Sequence, residues 1–341
     1  MFSRRLLLMV VTAVVCAWPA AAHAVVFGAS VDGNFNNYTR GVWSWNLVQS
    51  SLQRLHAAGA TVAQTGSQWA ATEPGPPLHG QYRYDWDRSD TIVRGLAEAH
   101  LRWVPTLDYT PKWEQQHIKP AKDKWTTSPL PPRNNAVFGA YAAALARRYG
   151  PGGSFWAANP SLPRLPVTSF EIWNEPDCKW TWGPDVNLQD YARLYMSAYR
   201  AIKSVNRHAQ VITGGLAFNQ TSLPRLLKAF KGLPIDALGV HPYGSNAAAT
   251  VAVVRWTTQE TGALGRGRTP LIVDEYGWNS SRLTWQHVPR KNLRSDVRQS
   301  IIGLTRISRV QAVIPFEWTD ADWGLSGGAM ADGIKQALHR R

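Results

Sequence analysis

Short apolar, β-branched runs alternate along the chain with longer segments of helical period. The runs at Val25 to Ala29, Thr61 to Thr65, Arg102 to Leu107, Val167 to Trp173, Gln210 to Gly214, Ala237 to Val240, Leu271 to Asp274 and Val310 to Phe316 predict eight strands. A helix candidate follows each of them. The clearest spans Leu188 to Ser204, where Leu188, Tyr191, Tyr195, Ala198 and Ile202 recur at spacings of three and four. Asn135 to Tyr149 and Leu293 to Ile307 carry similar stripes, and Gly150 with Pro151 ends the first of these. Strands that are apolar on both faces belong in a parallel sheet covered by helices. Eight β/α units in 341 residues therefore predict an α/β fold, a (β/α)8 TIM barrel in a single domain.

The N-terminus departs from this pattern. Arg4 and Arg5 precede an apolar run from Leu6 to Ala17 and then Ala22-His23-Ala24, the arrangement of a secretory signal peptide cut after Ala24. The run is shorter than the ~20 residues that span a bilayer as a helix. Residues 1–24 are thus expected to be a leader and 25–341 the barrel, exported as a secreted or periplasmic monomer without a membrane segment. Losing Arg4 and Arg5 takes the Lys and Arg count from 37 to 35 and the formal charge from +14 to +12. That balance is compatible with an acidic partner and does not require one. Of the two cysteines only Cys178 remains, so no intrachain disulfide can form, and a buried bystander is the simpler reading than a catalytic thiol.

Seventeen tryptophans outnumber 9 Phe and 11 Tyr, and rings with one polar edge suit stacking on flat ligands. Trp43, Trp45, Trp86 and Trp103 read as core. Trp113, Trp180, Trp182, Trp278, Trp318 and Trp323 instead follow strand ends, where a groove would lie. The long connection from Tyr109 to Arg133 also follows a strand, so it borders the functional face of a barrel.

Two segments carry chemistry. Ser169-Phe-Glu-Ile-Trp-Asn-Glu-Pro-Asp177 places Glu175 at the end of the fourth strand, and Leu271-Ile-Val-Asp-Glu-Tyr-Gly-Trp278 places Glu275 at the end of the seventh. Catalytic groups of such barrels sit at these carboxyl ends. Two glutamates facing across one mouth are the pair that glycosidic hydrolysis needs, an acid for the leaving oxygen and a carboxylate for the sugar carbon or a water. Asn174-Glu175-Pro176 alone reads equally well as a helix start; the second glutamate tips the balance to catalysis. Glu171, four residues deeper, is expected to be structural, and Asp274 to point to the other face.

Other chemistries find little support. Gly324-Leu-Ser-Gly-Gly328 matches G-x-S-x-G, but a nucleophile elbow needs a strand, a sharp turn and a helix with acid and histidine following in order, and the one histidine downstream is His339, in the tail. No H-x-H, H-E-x-x-H, C-x-x-C or glycine-rich phosphate loop occurs, so no metal, nucleotide or other cofactor is expected, and no nucleic-acid module is present.

The wording around Asn174-Glu175-Pro176 and Glu275 resembles glycoside hydrolase clan A. Phe-Glu-Ile-Trp-Asn-Glu-Pro-Asp, preceded by Ala-Arg-Arg-Tyr-Gly at 146–150, is most similar to glycoside hydrolase family 39 and related bacterial polysaccharide hydrolases. The resemblance implies a retaining glycosidase with a carbohydrate substrate, and the positive charge is compatible with an acidic one. In that reading Glu175 is the acid/base, Glu275 the nucleophile, and Asn174 a ligand of the sugar 2-hydroxyl. His241 and Tyr243, in Val-His-Pro-Tyr, stand beside the nucleophile, Trp318 forms a sugar platform, and Trp180 and Trp278 contact substrate. Many clan members carry an arginine near the end of strand two. Here about position 64 stands Gln64, and the loss of a cation is expected to raise Glu275. A non-catalytic polysaccharide-binding barrel and a transglycosidase are the alternatives.

Overall fold

A computed structural model describes residues 25–117, 130–183, 185–279, 288–319 and 328–338. The expected leader, Trp323, the Gly324–Gly328 motif and part of the loop after the third strand lie largely outside these residues. The chain runs β1 (Val26–Ser30), α1 (Asp32–Thr39), α2 (Trp45–Ala57), β2 (Val62–Gly66), α3 (Trp69–Thr72), α4 (Asp87–Glu98) and β3 (Arg102–Leu107). It continues through α5 (Asn135–Tyr149), α6 (Ser154–Ala158), β4 (Ser169–Ile172), α7 (Lys179–Trp182), α8 (Leu188–Val205), β5 (Gln210–Thr213) and α9 (Asn219–Ala229). The last elements are β6 (Ala237–Gly239), α10 (Ala247–Ala263), β7 (Leu271–Val273), α11 (Arg290–Thr305), β8 (Val310–Val313) and α12 (Gly328–Leu338).

Each strand pairs in parallel with its sequence neighbour, and β8 closes on β1 through Val26↔Ala312 and Phe27↔Val313. The result is the (β/α)8 barrel that the alternation predicts. Local chemistry starts the outer helices: Ser44, Asn134, Asn187 and Asn246 each cap a helix by accepting a backbone N–H in the first turn. α8 then buries the stripe of Leu188, Tyr191, Tyr195, Ala198 and Ile202 against the strands.

The strand alternation sets the floor of the functional site. Val62, Val104, Ile212, Ala237, Ile272, Ala312 and Ile314 point inward and form an apolar plug. Two residues further along three of those strands, the same inward face carries Gln64, Thr106 and Asp274, all buried. Glu171 of β4 joins this polar layer opposite Thr106. Burying Glu171 requires partners, and it has them in the Thr106 hydroxyl at 2.7 Å and the Gln64 amide. Glu171 is therefore structural, as expected. Asp274 differs from expectation: as the inward neighbour of Ile272, it reaches the floor of the barrel mouth.

The aromatic excess is mostly core. Trp69, Phe138, Tyr141, Tyr84, Trp86, Tyr149 and Trp103 form a continuous chain of ring contacts between α3, α5 and the strands.

Candidate active site

After β4 the chain turns sharply. Trp173 and Glu175 both adopt left-handed backbone, at φ 68° and 45°. Neither is glycine, so each is held at a cost of order 1–3 kcal/mol by its surroundings. The Trp173 N–H bonds Leu107 O at 2.9 Å, and the Glu175 N–H bonds Gly215 O at 3.1 Å. Asp177 fastens the same loop by accepting from the Ala217 and Phe218 N–H groups, both at 2.9 Å. These contacts aim Glu175 at the barrel axis.

Glu275 reaches the same point from the end of β7. One oxygen of each glutamate and a ring nitrogen of His241 all lie within 4.8 Å of one another. His241 comes from the end of β6, where Val240 N–H bonds Asp274 Oδ1 at 2.8 Å and Asn219 holds the His241 carbonyl at 2.7 Å. His241 Nδ1 is 3.2 Å from Glu175 Oε1, while its Nε2 is 3.9 Å from Glu275 Oε2 and 3.6 Å from Asp274 Oδ1. Tyr243 Oη donates to Glu275 Oε1 at 2.7 Å, and Trp180 Nε1 donates to Glu175 Oε2 at 3.2 Å.

Gly215 makes room for the imidazole. A Cβ there would stand 2.1 Å from His241 Cδ2 and 2.9 Å from Asp274 Oδ1, so no larger residue fits without displacing the ring.

Proton affinities follow from these contacts. Burial would strip His241 of its proton, but the carboxylates of Glu275, Glu175 and Asp274 outweigh it and hold the imidazole well above its usual range. Burial pushes Glu175 up, yet the hydrogen bond and charge of His241, helped by Trp180 and the Cys178 thiol, bring it below the usual carboxylate range. Glu275 moves the other way. Burial and the Glu175 and Asp274 charges raise it, against the opposing pull of His241 and Tyr243. Glu275 is thus raised, with burial and the neighbouring carboxylates as the causes. Gln64 itself is engaged below, with Thr106 and Glu171. Two triads, Glu171–His241–Asp274 and Glu175–His241–Glu275, have the donor set of a cation site, and both depend on the same imidazole.

A cleft of about 370 Å³ opens beside Glu275 and is lined by Asn174, Asp32, Asp108, Tyr109, Phe316 and Glu317, among others. A larger cavity of about 1120 Å³ lies between α5 and α8 on the outside of the barrel, remote from both glutamates.

Of the residues expected at the site, Glu175, Glu275, Asn174, His241, Tyr243 and Trp180 come together. Trp278 and Trp318 do not belong to the cleft surface. Each ring is buried, with its N–H satisfied by a backbone carbonyl, Gly244 O at 2.7 Å for Trp278 and Ser51 O at 3.0 Å for Trp318. Phe316, two residues earlier, lines the cleft in the place expected of Trp318. Trp182 is also buried, whereas Trp180 is 43% exposed and meets exposed Phe218 edge-on at 6.0 Å. Cys178 is buried, its thiol raised by burial and by the neighbouring Glu175 and Asp177 charges, which argues against a catalytic thiol even though it hydrogen-bonds Glu175. Asp32 and Asp108 were not anticipated, although both follow strand ends, the rule that located the glutamates.

Residues 84–264 match the model of the family described as glycosyl hydrolases family 39, a span that includes Glu175, His241 and Tyr243 but not Glu275. A β-xylosidase of Geobacillus stearothermophilus is 39% identical over 180 residues, covering 48% of this chain and 31% of that protein. The chain thus spans about a third of this relative's length. The fold is shared with a family 39 β-xylosidase from Caulobacter crescentus, at TM-score 0.65 and 18% identity over 92% of this chain and 70% of the other. It is shared also with a family 39 enzyme from Xanthomonas axonopodis pv. citri, at TM-score 0.66 and 19% identity over 94% and 67% of the two chains.

Proposed function

Because the chain belongs to glycosyl hydrolases family 39, we propose that it is an exported retaining glycosidase that hydrolyses β-linked glycosides, β-xylosides among them, by double displacement. The observation that carries this reading is the convergence of Glu175 and Glu275, from β4 and β7, on one imidazole with carboxylate oxygens within 4.8 Å. Retaining pairs stand ~5–5.5 Å apart, inverting pairs ~6.5–9.5 Å.

In the first step Glu275 attacks the anomeric carbon while the Glu175 carboxyl gives its proton to the leaving oxygen. Asn174, which lines the cleft beside Glu275, donates to the sugar 2-hydroxyl as charge develops. In the second step Glu175, now a carboxylate, takes a proton from water, which displaces Glu275 from the sugar. Tyr243 keeps Glu275 oriented and supports its ionised form. Trp180 and Phe218, exposed beside Glu175, form the platform on the leaving-group side. Export rests on Arg4, Arg5 and the apolar run behind them, and N-terminal sequencing of the product released by its host would begin at Val25.

Glu175→Gln and Glu275→Gln are each expected to lower turnover of an aryl β-xyloside by about a thousandfold or more. A 2-fluoro-xylosyl inactivator is expected to label Glu275, as read by peptide mass. The raised Glu275 and neutral Gln64 favour a second reading, a sugar-binding barrel without turnover. Labelling of Glu275 excludes it; sugar binding without any label or turnover establishes it.

A further inference from the structure

We propose that the cleft beside Glu275 selects glycones that carry no carboxylate, with Asp108 accepting a hydrogen bond from a hydroxyl or ammonium of the sugar. This deepens the glycosidase reading and rests on it.

Four strand ends each contribute one carboxyl to this cleft: Asp32 after β1, Asp108 after β3, Glu275 after β7 and Glu317 after β8. No Lys or Arg stands among its described lining residues, so the strongly positive chain presents an acidic pocket here. Two of the carboxyls are already served by the fold. Asp32 Oδ1 accepts from Thr65 Oγ1 at 2.5 Å and Gly66 N–H at 3.3 Å, and Glu317 Oε1 accepts from Gly33 N–H at 2.8 Å. Glu275 has Tyr243.

Asp108 is different. It is only 5% exposed, and its Oδ1 has no hydrogen-bond partner among the described residues. Burial and the Asp32 charge hold its carboxyl well above the usual range. A buried carboxyl oxygen without a donor is unfavourable, and its place at the cleft wall makes a ligand the natural source of the donor. A hydroxyl or an ammonium supplies one. A uronate carboxylate supplies none and brings a like charge beside Asp32, Glu275 and Glu317, where partial burial weakens screening. The same carboxyls favour the positive charge that develops on the sugar ring during cleavage.

The test compares kcat/KM for 4-nitrophenyl β-xyloside, β-glucoside, 2-amino-2-deoxy-β-glucoside and β-glucuronide, and binding of methyl β-xyloside and methyl β-glucuronide by saturation-transfer NMR. Wild-type protein is expected to prefer the neutral or amino glycosides to the glucuronide by about 100-fold or more. Among the preferred glycones, a lead for the amino sugar assigns the ammonium as donor, and a lead for glucoside or xyloside assigns a hydroxyl. Asp108→Ala is expected to lower the neutral rates and narrow the glucuronide gap by about tenfold, and the isosteric Asp108→Asn to narrow it with less loss. Comparable rates for the glucuronide, or an equal fall for every glycone in both variants, would overturn the proposal while leaving the glycosidase reading intact. If nothing is cleaved but methyl β-xyloside binds and methyl β-glucuronide does not, only the glycosidase reading falls. If neither binds nor is cleaved, both fall.

Discussion

Tyr243 Oη donates a hydrogen bond of 2.7 Å to Glu275 Oε1, joining the segment after β6 to the end of β7. In a site where burial and two neighbouring carboxylates raise Glu275, this hydroxyl is a stabiliser of the ionised nucleophile. Tyr243→Phe removes the donor and leaves the ring. A hydrogen bond to a charged group is worth about 1.5–3 kcal/mol, so kcat/KM is expected to fall roughly 10- to 100-fold. Because Glu275 lies above Glu175, the alkaline limb of the pH–rate profile reports Glu275; it moves to higher pH, since Glu275 then holds its proton more tightly, while the acid limb stays. A profile displaced in both limbs would contradict the assignment.

His241 should behave differently, because it faces both glutamates. Its positive charge lowers Glu175, which it bonds at 3.2 Å, and Glu275, which it approaches at 3.9 Å. His241→Asn is expected to shift both limbs to higher pH, and to reduce kcat/KM by about 100-fold through loss of the charged contact. The limbs belong to the coupled pair and not to single residues, so the diagnostic is their common direction. Movement of one limb alone would show that His241 acts on one glutamate only.

The strand-end rule made the glutamates, Asn174, His241 and Tyr243 legible, because each sits one to four residues beyond a short apolar strand and within a recognisable run. The rule locates a residue along the strand but not its face once the strand has ended. β8 stops at Val313, and from there to Trp318 the backbone leaves the two-residue alternation; Phe316 lines the cleft and Trp318 enters the core. Trp278 turns inward likewise. Asp32 and Asp108 had no motif around them: a single acid after a strand is common, and only the closed barrel brings four together. Asp274 was misplaced for the opposite reason, since alternation from Ile272 does carry it inward. The Gly215 role is purely steric and leaves no chemical trace in the sequence.

Gly215 offers a sharp steric test. Alanine places a methyl group 2.1 Å from His241 Cδ2 and 2.3 Å from Nε2, distances that only displacement of the ring can relieve. Gly215→Ala is expected to destabilise the barrel by about 1–3 kcal/mol, as overpacking does. Turnover should fall as well, since the moved imidazole loses its contact with Glu175. Thermal unfolding and steady-state kinetics read the two effects. An unchanged midpoint with unchanged turnover would mean that Gly215 does not set the position of His241.

Outside the site, Glu73 makes stability depend on pH. It is buried at the end of α3, accepts from Trp69 Nε1 at 2.7 Å, and its second oxygen has no partner among the described residues. Burial, with a smaller push from the Glu114 charge, raises its pKa from 4.5 to about 7 against the Trp69 hydrogen bond. A carboxyl raised in the folded state contributes stability that is fully present below its unfolded value. That contribution is lost as pH rises from about 4.5 to about 7. The full shift corresponds to at most about 3 kcal/mol, and partial solvation reduces it. Glu73→Gln keeps the shape, accepts the same Trp69 N–H and has no charge to bury. Its unfolding free energy is expected to match wild type near pH 4 and to exceed it by about 1–3 kcal/mol at pH 8. Denaturant titrations at both pH values decide this; an equal gap at pH 4 and pH 8 would remove Glu73 as the titrating group.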